Sequence, residues 1–497
     1  MAEAAAATLR SNGNAFDAAV AAGFAASVCE PGFTSLAGGG FLLAHGPDGR
    51  NTLFDFFVDT PGRGLPGGTH VSQFDPVTVY FAAAQQTFHC GLGSVAVPGN
   101  LAGYLHVHRQ LGRLPLADVV APAVRLARDG VVVPPTQAID FTLLAPILQR
   151  TAAARAIFAP EGRLLTTGDR LHNGDLAVFL ERLGTDCTAT LYEGEVAERF
   201  VDQMRGLITT ADLAEYRVIE REPLAVAYRG RTLLTNPPPS FGGALIALAL
   251  RLLDADGPPP PPGSAELAVM LARLMADVDR RRNGWIGSGS EMLPPQSTPQ
   301  STPQSTRGTT HVSVADADGN IASMTTSNGE CSGDVVRGTG IMLNNMLGED
   351  DLHPGGFHAA PAGTRVSSTM APSLVLGRSG QPVLALGSGG SKRIRSAILQ
   401  VLVGVIDHDR GLQAAIDNPR IHWDSDHLEV EPGLAPEVLS ALEDLAPVNV
   451  WPDRSMYFGG VHAVAPRSPR ASEAGDQAVG VAAGDARRGG SVRVVAH

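Results

Sequence analysis

The sequence predicts an α+β fold in which both halves of the chain contribute to one unit. Helical patterns dominate up to about residue 290 of the 497, whereas short strand-like segments dominate after residue 309. The second part has too few predicted helices to cover a sheet by itself, so we do not expect it to fold alone. The 44% hydrophobic and 18% charged content suits a large globular protein.

The first half is predicted to contain most of the helices. Residues 14–28 are rich in alanine and apolar nearly all round, which predicts a buried helix that ends at Pro31 and Gly32. The triplet Gly38–Gly40 then precedes a predicted hairpin of residues 41–46 and 51–57; we interpret it as a close-packing element, because no GK[ST] motif follows it. The later elements are predicted as helices 115–129, 210–216, 244–253 and 265–282, with a strand pair at 226–234.

The second half begins with a change of character. A threefold PQST tract at 295–306 is predicted to be disordered, and a strand-like segment starts directly after it. Predicted strands and helices then follow in the order HVSVAD (311–316), NIASMTTS (320–327), SLVLG (373–377), PVLALGSGG (382–390), helix 392–405 and strand 428–430.

Charge and apolar runs exclude several classes of protein. The net charge of −12 argues against binding to a nucleic-acid phosphate backbone. No apolar run approaches the roughly 18 residues of a membrane span, and the N-terminus lacks the pattern of a signal peptide. We therefore expect a cytoplasmic protein that binds neither nucleic acid nor a membrane.

The cysteines and histidines indicate no metal site. The four cysteines show no CxxC spacing, so we interpret them as buried free thiols. His106 and His108 are potential ligands without a nearby third one, and we expect no metal and no cofactor. The cysteines are Cys29, Cys90, Cys187 and Cys331.

The sequence Gly308-Thr309-Thr310 permits a particular chemistry. A hydroxyl nucleophile needs a base, and an N-terminal threonine can use its own α-amine, with a pKa of roughly 7.7–8.0. A threonine inside a chain reaches that state only if the preceding peptide bond is cut. Thr309 could attack a strained Gly308 carbonyl and become a new N-terminus. Two β-branched residues that simply open a strand give the same pattern, so these residues alone leave both interpretations open.

Longer motifs resolve this ambiguity. GTTHVSVADADGNIASMTTSNG (308–329), together with GTGIMLNN, SSTMAPSLVLG and LGSGGSKRI, strongly resembles the gamma-glutamyltranspeptidase family of N-terminal-nucleophile hydrolases. NGNAFDAAVAAGFAASVCEP, GGGF, SVAVPGNLAGY and NPPPSFGG stand in the family's order, and the resemblance spans about residues 8–490. It implies a four-layer αββα sandwich built from both halves. Family members usually carry an earlier strand, so either the start is misassigned or a sheet lacks an edge element.

The resemblance also implies a processed enzyme. Cleavage between Gly308 and Thr309 would give a heavy chain, 1–308, with a disordered tail at 295–308, and a light chain, 309–497, which form an obligate heterodimer. Thr309 would be the nucleophile and its α-amine the base. Thr310 and Ser327 match hydroxyls near it, and Gly389 and Gly390 match the glycines whose N–H groups form the oxyanion hole. His311, two residues along the strand, is interpreted as structural.

The substrate-binding positions depart from the family pattern. The arginine that grips the glutamyl carboxylate is replaced by Phe57, which cannot form a bidentate clamp. Arg365, Lys392 or Arg393 could bind an acid from another direction, but we interpret each as a structural or surface charge. The other positions that the resemblance assigns to substrate binding are Asn328, Met346, Glu349 or Asp350, Ser368 and Thr369.

Three functions remain open from the sequence. The first is an autoprocessed amide hydrolase or acyltransferase acting on a small molecule other than glutathione. The second is a hydrolase that cleaves a C–C bond in actinobacterial natural-product biosynthesis, of the 4-alkylproline type, as in similar family members that lack the glutamate clamp. The third is a scaffold that is never processed. Retention of the catalytic residues favours an enzyme.

Overall fold

A computed structural model describes residues 1–66, 73–81, 84–186, 190–287, 308–353, 355–466 and 480–495. The PQST tract and Cys187 lie outside these ranges. The helices of the described residues are α1 Ala2–Arg10, α2 Ala15–Cys29, α3 Asn100–Leu111, α4 Leu116–Asp129, α5 Pro135–Leu143, α6 Ala145–Leu148, α7 Ala152–Phe158, α8 Gly174–Thr185, α9 Gly194–Met204, α10 Thr210–Glu215, α11 Phe241–Ala255, α12 Ala265–Gly287, α13 Arg393–Ile406, α14 Leu412–Asp417 and α15 Pro436–Glu443.

Within the described ranges, the strands belong to two larger sheets and four small ones. They are β1 Gly39–His45, β2 Asn51–Phe56, β3 Asp75–Phe81, β4 Ala84–Cys90, β5 Val131–Val132, β6 Arg170–Leu171, β7 Ile219–Arg221, β8 Leu224–Tyr228, β9 Arg231–Thr235, β10 Thr310–Ala315, β11 Ile321–Ser327, β12 Val335–Val336, β13 Ile341–Met342, β14 Ser373–Leu376, β15 Pro382–Gly389, β16 Ile421–Asp424, β17 His427–Val430, β18 Val448–Val450, β19 Gly460–Ala465 and β20 Val481–Ala483.

Each larger sheet combines strands from both sides of residue 308. The first sheet has the order β10-β11-β1-β2-β7 and the second has the order β20-β19-β15-β14-β9-β8. Neighbouring strands are antiparallel throughout both sheets. Because β10–β11 pair with β1 and β14 pairs with β9, neither part of the chain can complete a sheet alone.

Side-chain alternation along the strands builds the layers. On β1, Leu42 packs into a core with helices α2, α3 and α4, whereas Phe41 and Leu43 point between the sheets. From the second sheet, Leu374 and Ala385 meet them there. The opposite face of that sheet packs against α11, α12 and α13. The result is the predicted order of helices, sheet, sheet and helices, which confirms the αββα sandwich.

Most of the predicted elements are present. Helix α2 begins after Asn14, whose side chain accepts from the N–H groups of Phe16 and Asp17, while Asp17 accepts from the Asn14 N–H. The 41–46/51–57 hairpin is confirmed as β1 and β2, and the strand pair near 226–234 as β8 and β9. Helices α1, α3, α5–α9, α14 and α15 were not predicted.

Two further expectations concern the thiols and the membrane. Cys90 and Cys331 are buried free thiols, as predicted. Cys29 is also a free thiol, but it is only half-buried. Over the described ranges, no helix has the length and apolarity needed to cross a bilayer.

Candidate active site

Thr309 lies directly before β10, where the first sheet faces the second. Thr310 pairs with Thr326 of β11, and Ser327 at the end of β11 pairs with Gly39. A Cβ on Gly38 would stand 2.1 Å from the Ser327 carbonyl oxygen. The glycine triplet therefore allows β11 to approach closely, in agreement with the close packing that the sequence predicts.

The Gly308 carbonyl is the centre of the site. Its oxygen accepts hydrogen bonds from Thr309 Oγ1 at 2.7 Å and from Ser327 Oγ at 2.6 Å. The Gly308 N–H donates to Glu330 Oε1 at 3.2 Å. A Cβ on Gly308 would lie 2.5 Å from the Gly329 carbonyl oxygen, so close packing requires glycine here. The backbone strain that the sequence suggests at this peptide stays a prediction.

The paired glycines approach Thr309 from the second sheet. Gly389 ends β15, and a Cβ added to it would lie only 2.3 Å from the Thr309 carbonyl oxygen. Gly390 has a φ of +119°, which disfavours any residue with a Cβ. The sandwich thus brings the two glycines, about 80 residues away in sequence, against the predicted nucleophile. Their part as an oxyanion hole stays a prediction.

The structure separates Thr310 from Ser327. Thr310 is on the other side of the strand from Thr309, and its Oγ1 donates to Glu30 Oε2 at 2.6 Å. Burial raises the pKa of the Glu30 carboxyl, although the hydrogen bond from Thr310 opposes this. Of the two hydroxyls that the resemblance groups together, only Ser327 contacts the Gly308 carbonyl.

A small pocket of about 20 Å³ adjoins Thr309, with room for about one water molecule. Most of the side chains that the resemblance assigns to substrate binding meet here. The pocket is lined by Phe57, Gly308, Thr309, Ser327, Met346, Glu349, Leu352, Ser368, Thr369, Met370 and Ser391.

Phe57 makes one wall of the pocket apolar. Its ring is fully buried and stacks on Phe41 with the centroids 5.5 Å apart. No arginine or lysine is among the described residues that line this pocket. A carboxylate that entered it would therefore meet no guanidinium clamp of the kind that bidentate recognition needs.

The three cations considered as replacements all have other partners. Arg365 forms ion pairs with Asp55 at 3.1 Å and with Asp59 at 2.9 Å. Lys392 is 3.4 Å from Asp351. Arg393 donates from Nε to the Tyr457 carbonyl and stacks on that tyrosine ring. These contacts agree with the structural interpretation of all three.

Of the polar residues that the resemblance assigns to substrate binding, some line the pocket and others do not. Glu349 is 6% exposed and lines the pocket, whereas Asp350 is exposed outside it, so the structure favours Glu349. Asn328 is not among the residues that line this pocket. Its Oδ1 accepts from Ser35 Oγ and its Nδ2 donates to the Leu343 carbonyl, so it braces a loop and does not line the pocket.

No sequence pattern singles out several residues that lie near the site. Glu330 receives the Gly308 N–H, and its own N–H donates to Asn345 Oδ1. Ser391 lines the pocket and donates to Asp351 Oδ2 at 2.7 Å, which joins the glycine turn to the loop that carries Glu349. The motifs contain these residues, but only the tertiary contacts show what they touch.

The histidines have structural contacts. His311 contacts Thr325 Oγ1 and Ser313 Oγ at 2.8 Å each, and burial lowers its pKa well below the usual value. A neutral ring in these contacts supports the structural part that the sequence suggests. His106 contacts Glu220 and His108 contacts the Leu114 carbonyl, so the two rings have separate partners.

The four-layer sandwich is that of the N-terminal-nucleophile hydrolases. A solved structure with this architecture, the cephalosporin acylase from Bacillus halodurans, matches 99% of this chain and 93% of its own chain with a TM-score of 0.80 at 24% identity. That likeness establishes the fold alone.

Sequence comparison identifies the family. The gamma-glutamyltranspeptidase family model matches residues 1–259 and 264–495. The acylase ACY 1 proenzyme of Pseudomonas sp. (strain SE83) is 34% identical over 468 residues, which cover 87% of this chain and 83% of that protein. The glutathione hydrolase proenzyme of Escherichia coli (strain K12) is 32% identical over 485 residues, with 88% and 82% covered. The chain therefore belongs to the gamma-glutamyltranspeptidase family and is an enzyme.

Proposed function

We propose that this chain cuts itself before Thr309 and then acts as an amide hydrolase or acyltransferase on a small molecule other than glutathione. The contact that carries the proposal is the Gly308 carbonyl oxygen held between the Thr309 and Ser327 hydroxyls. The proenzyme names of the two relatives support processing.

The self-cleavage uses groups that lie at the Gly308 carbonyl. Thr309 Oγ1 attacks the Gly308 carbonyl carbon, and Ser327 Oγ donates to the oxygen that gains negative charge. The C–N bond then breaks as the Thr309 nitrogen takes up the proton that Oγ1 has lost, which leaves Gly308 esterified to Thr309 and the Thr309 amine free. Water hydrolyses the ester. The products are chains 1–308 and 309–497, and the interleaved strands of both sheets keep them together.

Turnover then follows from the new N-terminus. The α-amine of Thr309 accepts the proton of Oγ1, which attacks the carbonyl carbon of the substrate. The N–H groups of Gly389 and Gly390 stabilise the oxyanion, and the amine of the substrate leaves with a proton. Water or an acceptor amine releases the acyl group from Thr309.

The substrate assignment depends on Phe57. Glutathione presents a glutamyl carboxylate, and the wall where a guanidinium would bind it is an apolar ring. A site without the matching donors leaves a buried carboxylate unpaired, which costs several kcal/mol. Because the pocket has room for about one water molecule in the uncut chain, it must widen to take a substrate, and the acyl group that then lies against Phe57 is one without a carboxylate at that end.

Two measurements test the proposal together. Amine labelling at neutral pH, followed by peptide mass spectrometry, is expected to mark Thr309 as a chain N-terminus. Hydrolysis of glutathione is then compared with that of amides whose acyl group is apolar. We expect the apolar amides to be cleaved with a larger kcat/KM. An unlabelled Thr309 would overturn the processing step, and efficient glutathione hydrolysis would overturn the substrate assignment.

A further inference from the structure

Thr309 lies between two spaces. On one side is the small pocket with Phe57, and on the other is an open groove of about 2290 Å³. Glu30, Asp140 and Arg488 are among the charged residues that line the groove together with Thr309. None of them takes part in the mechanism described above.

Arg488 contacts the main chain of the nucleophile. It ends the 3-10 turn Ala486–Arg488, and its Nη1 donates to the Thr309 carbonyl oxygen at 3.3 Å. A Cβ on Gly389 would lie 3.1 Å from Nη1, and a Cβ on Gly460 would lie 2.6 Å from Cδ. The second sheet therefore has glycines where this side chain passes, and the guanidinium has a defined place.

Two carboxylates from the part of the chain before residue 308 line the same groove. Glu30 accepts the Thr310 hydroxyl at 2.6 Å, and Asp140 on α5 is 8% exposed. Burial lowers the pKa of Arg488 to about 10, so it stays charged near neutral pH. Burial raises the pKa of Asp140 to about 7, with Arg488 opposing the rise. The charge of the cluster therefore changes near neutrality.

Other ionisable groups lie around the cluster, and one of them is the Met1 α-amine, whose charge acts on Glu30 and Cys29. Burial lowers the pKa of His462 to about 4 and that of His311 well below its usual value, so both rings are neutral at pH 7. Burial raises the pKa of Cys29. The remaining groups that act on Arg488 are Arg393, and Asp485, which is paired with Arg420 and Arg487.

We propose that Arg488, Glu30 and Asp140 form a positioning cluster, in which Arg488 holds the Thr309 carbonyl and Glu30 holds the Thr310 hydroxyl from the groove side, and that protonation of Asp140 makes this positioning depend on pH. The catalytic benefit rests on the proposed function. Once the chain is cut, Thr309 loses its upstream anchor, and chain ends fray unless they are tied down. The contacts of Arg488 and Glu30 are on residues 309 and 310, so they persist after cleavage.

The first test uses uncut protein, so that it does not depend on processing. Amide hydrogen exchange is measured by mass spectrometry in a Thr309→Ala background, over peptides that cover residues 309–316. Arg488→Met is expected to raise exchange there by about tenfold, the loss of one hydrogen bond to a charged group. Arg488→Lys is expected to restore part of the protection. Arg493→Met is the matched control, because Arg493 lines the same groove but pairs with Glu3.

The same exchange measurements at two pH values test the role of Asp140. Exchange at each pH is expressed as a protection factor, the intrinsic rate at that pH divided by the measured rate, which removes the intrinsic pH dependence of exchange. Protection of residues 309–316 is expected to differ between pH 6 and pH 8 in the parent and not in Asp140→Asn. Unchanged exchange in Arg488→Met, or a rise that is uniform over the whole protein, would overturn the positioning role. An unaltered pH difference in Asp140→Asn would overturn the pH dependence.

The second test uses the chain with Thr309 intact. Protein made by cell-free synthesis is sampled over time, and the fraction cut is read by denaturing mass spectrometry. Arg488→Met is expected to slow cleavage by about tenfold and Arg488→Lys by less. A cleavage rate in Arg488→Met equal to that of the parent would contradict the positioning of Thr309. If the parent itself is never cut, the proposed function fails, whereas the exchange measurements still decide on the cluster.

Discussion

The Ser327 hydroxyl oxygen lies 2.6 Å from the carbonyl oxygen of Gly308, a residue 19 positions earlier in the chain. Thr309 Oγ1 lies 2.7 Å from that same oxygen. The register of β10 and β11 produces this arrangement, since it brings the end of β11 beside the start of β10. Two hydroxyl donors on one carbonyl oxygen polarise the carbonyl group and favour nucleophilic attack at its carbon.

Replacing Ser327 with alanine is expected to slow self-cleavage. The variant loses the donor that stabilises the developing oxyanion, and the loss of one such donor costs about 10²–10³ in rate. The time course of chain cleavage by denaturing mass spectrometry measures the effect. Ser323→Ala is the control, because Ser323 is buried on the same strand but donates to the Leu386 carbonyl. Equal slowing in both variants would show that general destabilisation is the cause.

Replacing Gly389 with alanine is expected to block both cleavage and turnover. The added Cβ would meet the Thr309 carbonyl oxygen at 2.3 Å, which forces the two sheets apart beside the nucleophile. Gly411→Ala is the control, because a Cβ there meets nothing within 4 Å. Circular dichroism of both variants reports folding. A Gly389→Ala chain that is cut at the normal rate would contradict the close approach.

Replacing Phe57 with arginine is expected to increase the use of glutathione. A guanidinium at this wall can pair with the glutamyl carboxylate, and hydrogen bonds to a charged group of this kind raise kcat/KM by about tenfold or more. The Phe57→Leu variant is the control for a simple loss of ring volume. Steady-state hydrolysis of glutathione by the three proteins measures the effect. A gain in Phe57→Leu equal to that in Phe57→Arg would refute the role of charge.

Asp140 is expected to make the free energy of unfolding depend on pH. Its pKa rises from 3.8 to about 7 in the folded chain, chiefly through burial. Between about pH 4 and pH 7 the folded state therefore binds more protons than the unfolded state, and this group lowers stability as the pH rises. Above about pH 7 its effect is constant. Urea unfolding of Thr309→Ala chains, with and without Asp140→Asn, is expected to show that the second substitution removes this decline.

The sequence alone selects several residues that the structure brings close to the predicted scissile peptide. The motif order selects Thr309, Ser327 and Gly389. The hydroxyls of Thr309 and Ser327 contact the Gly308 carbonyl, and Gly389 packs against the Thr309 carbonyl. Strand periodicity also places His311 on the same strand face as Thr309. The strand face follows from the spacing along one strand, whereas Gly389 follows only from the resemblance to the family.

Other positions depend on contacts that the sequence does not display. Glu349 and Asp350 are adjacent, and only the path of the loop shows that Glu349 faces the pocket. Asn328 has a polar side chain beside the site, yet its hydrogen bonds go to a neighbouring loop. Arg488 reaches Thr309 from 179 residues away, at a turn that no periodicity marks.

The most direct test of the central claim is the intact mass of the purified protein under denaturing conditions, for wild type beside Thr309→Ala. We predict two chains for the wild type, with masses that match residues 1–308 and 309–497, and one uncut chain for the variant. A folded, monodisperse wild-type protein that consists of a single uncut chain would contradict the account, because Thr309 would then have no α-amine to serve as its base.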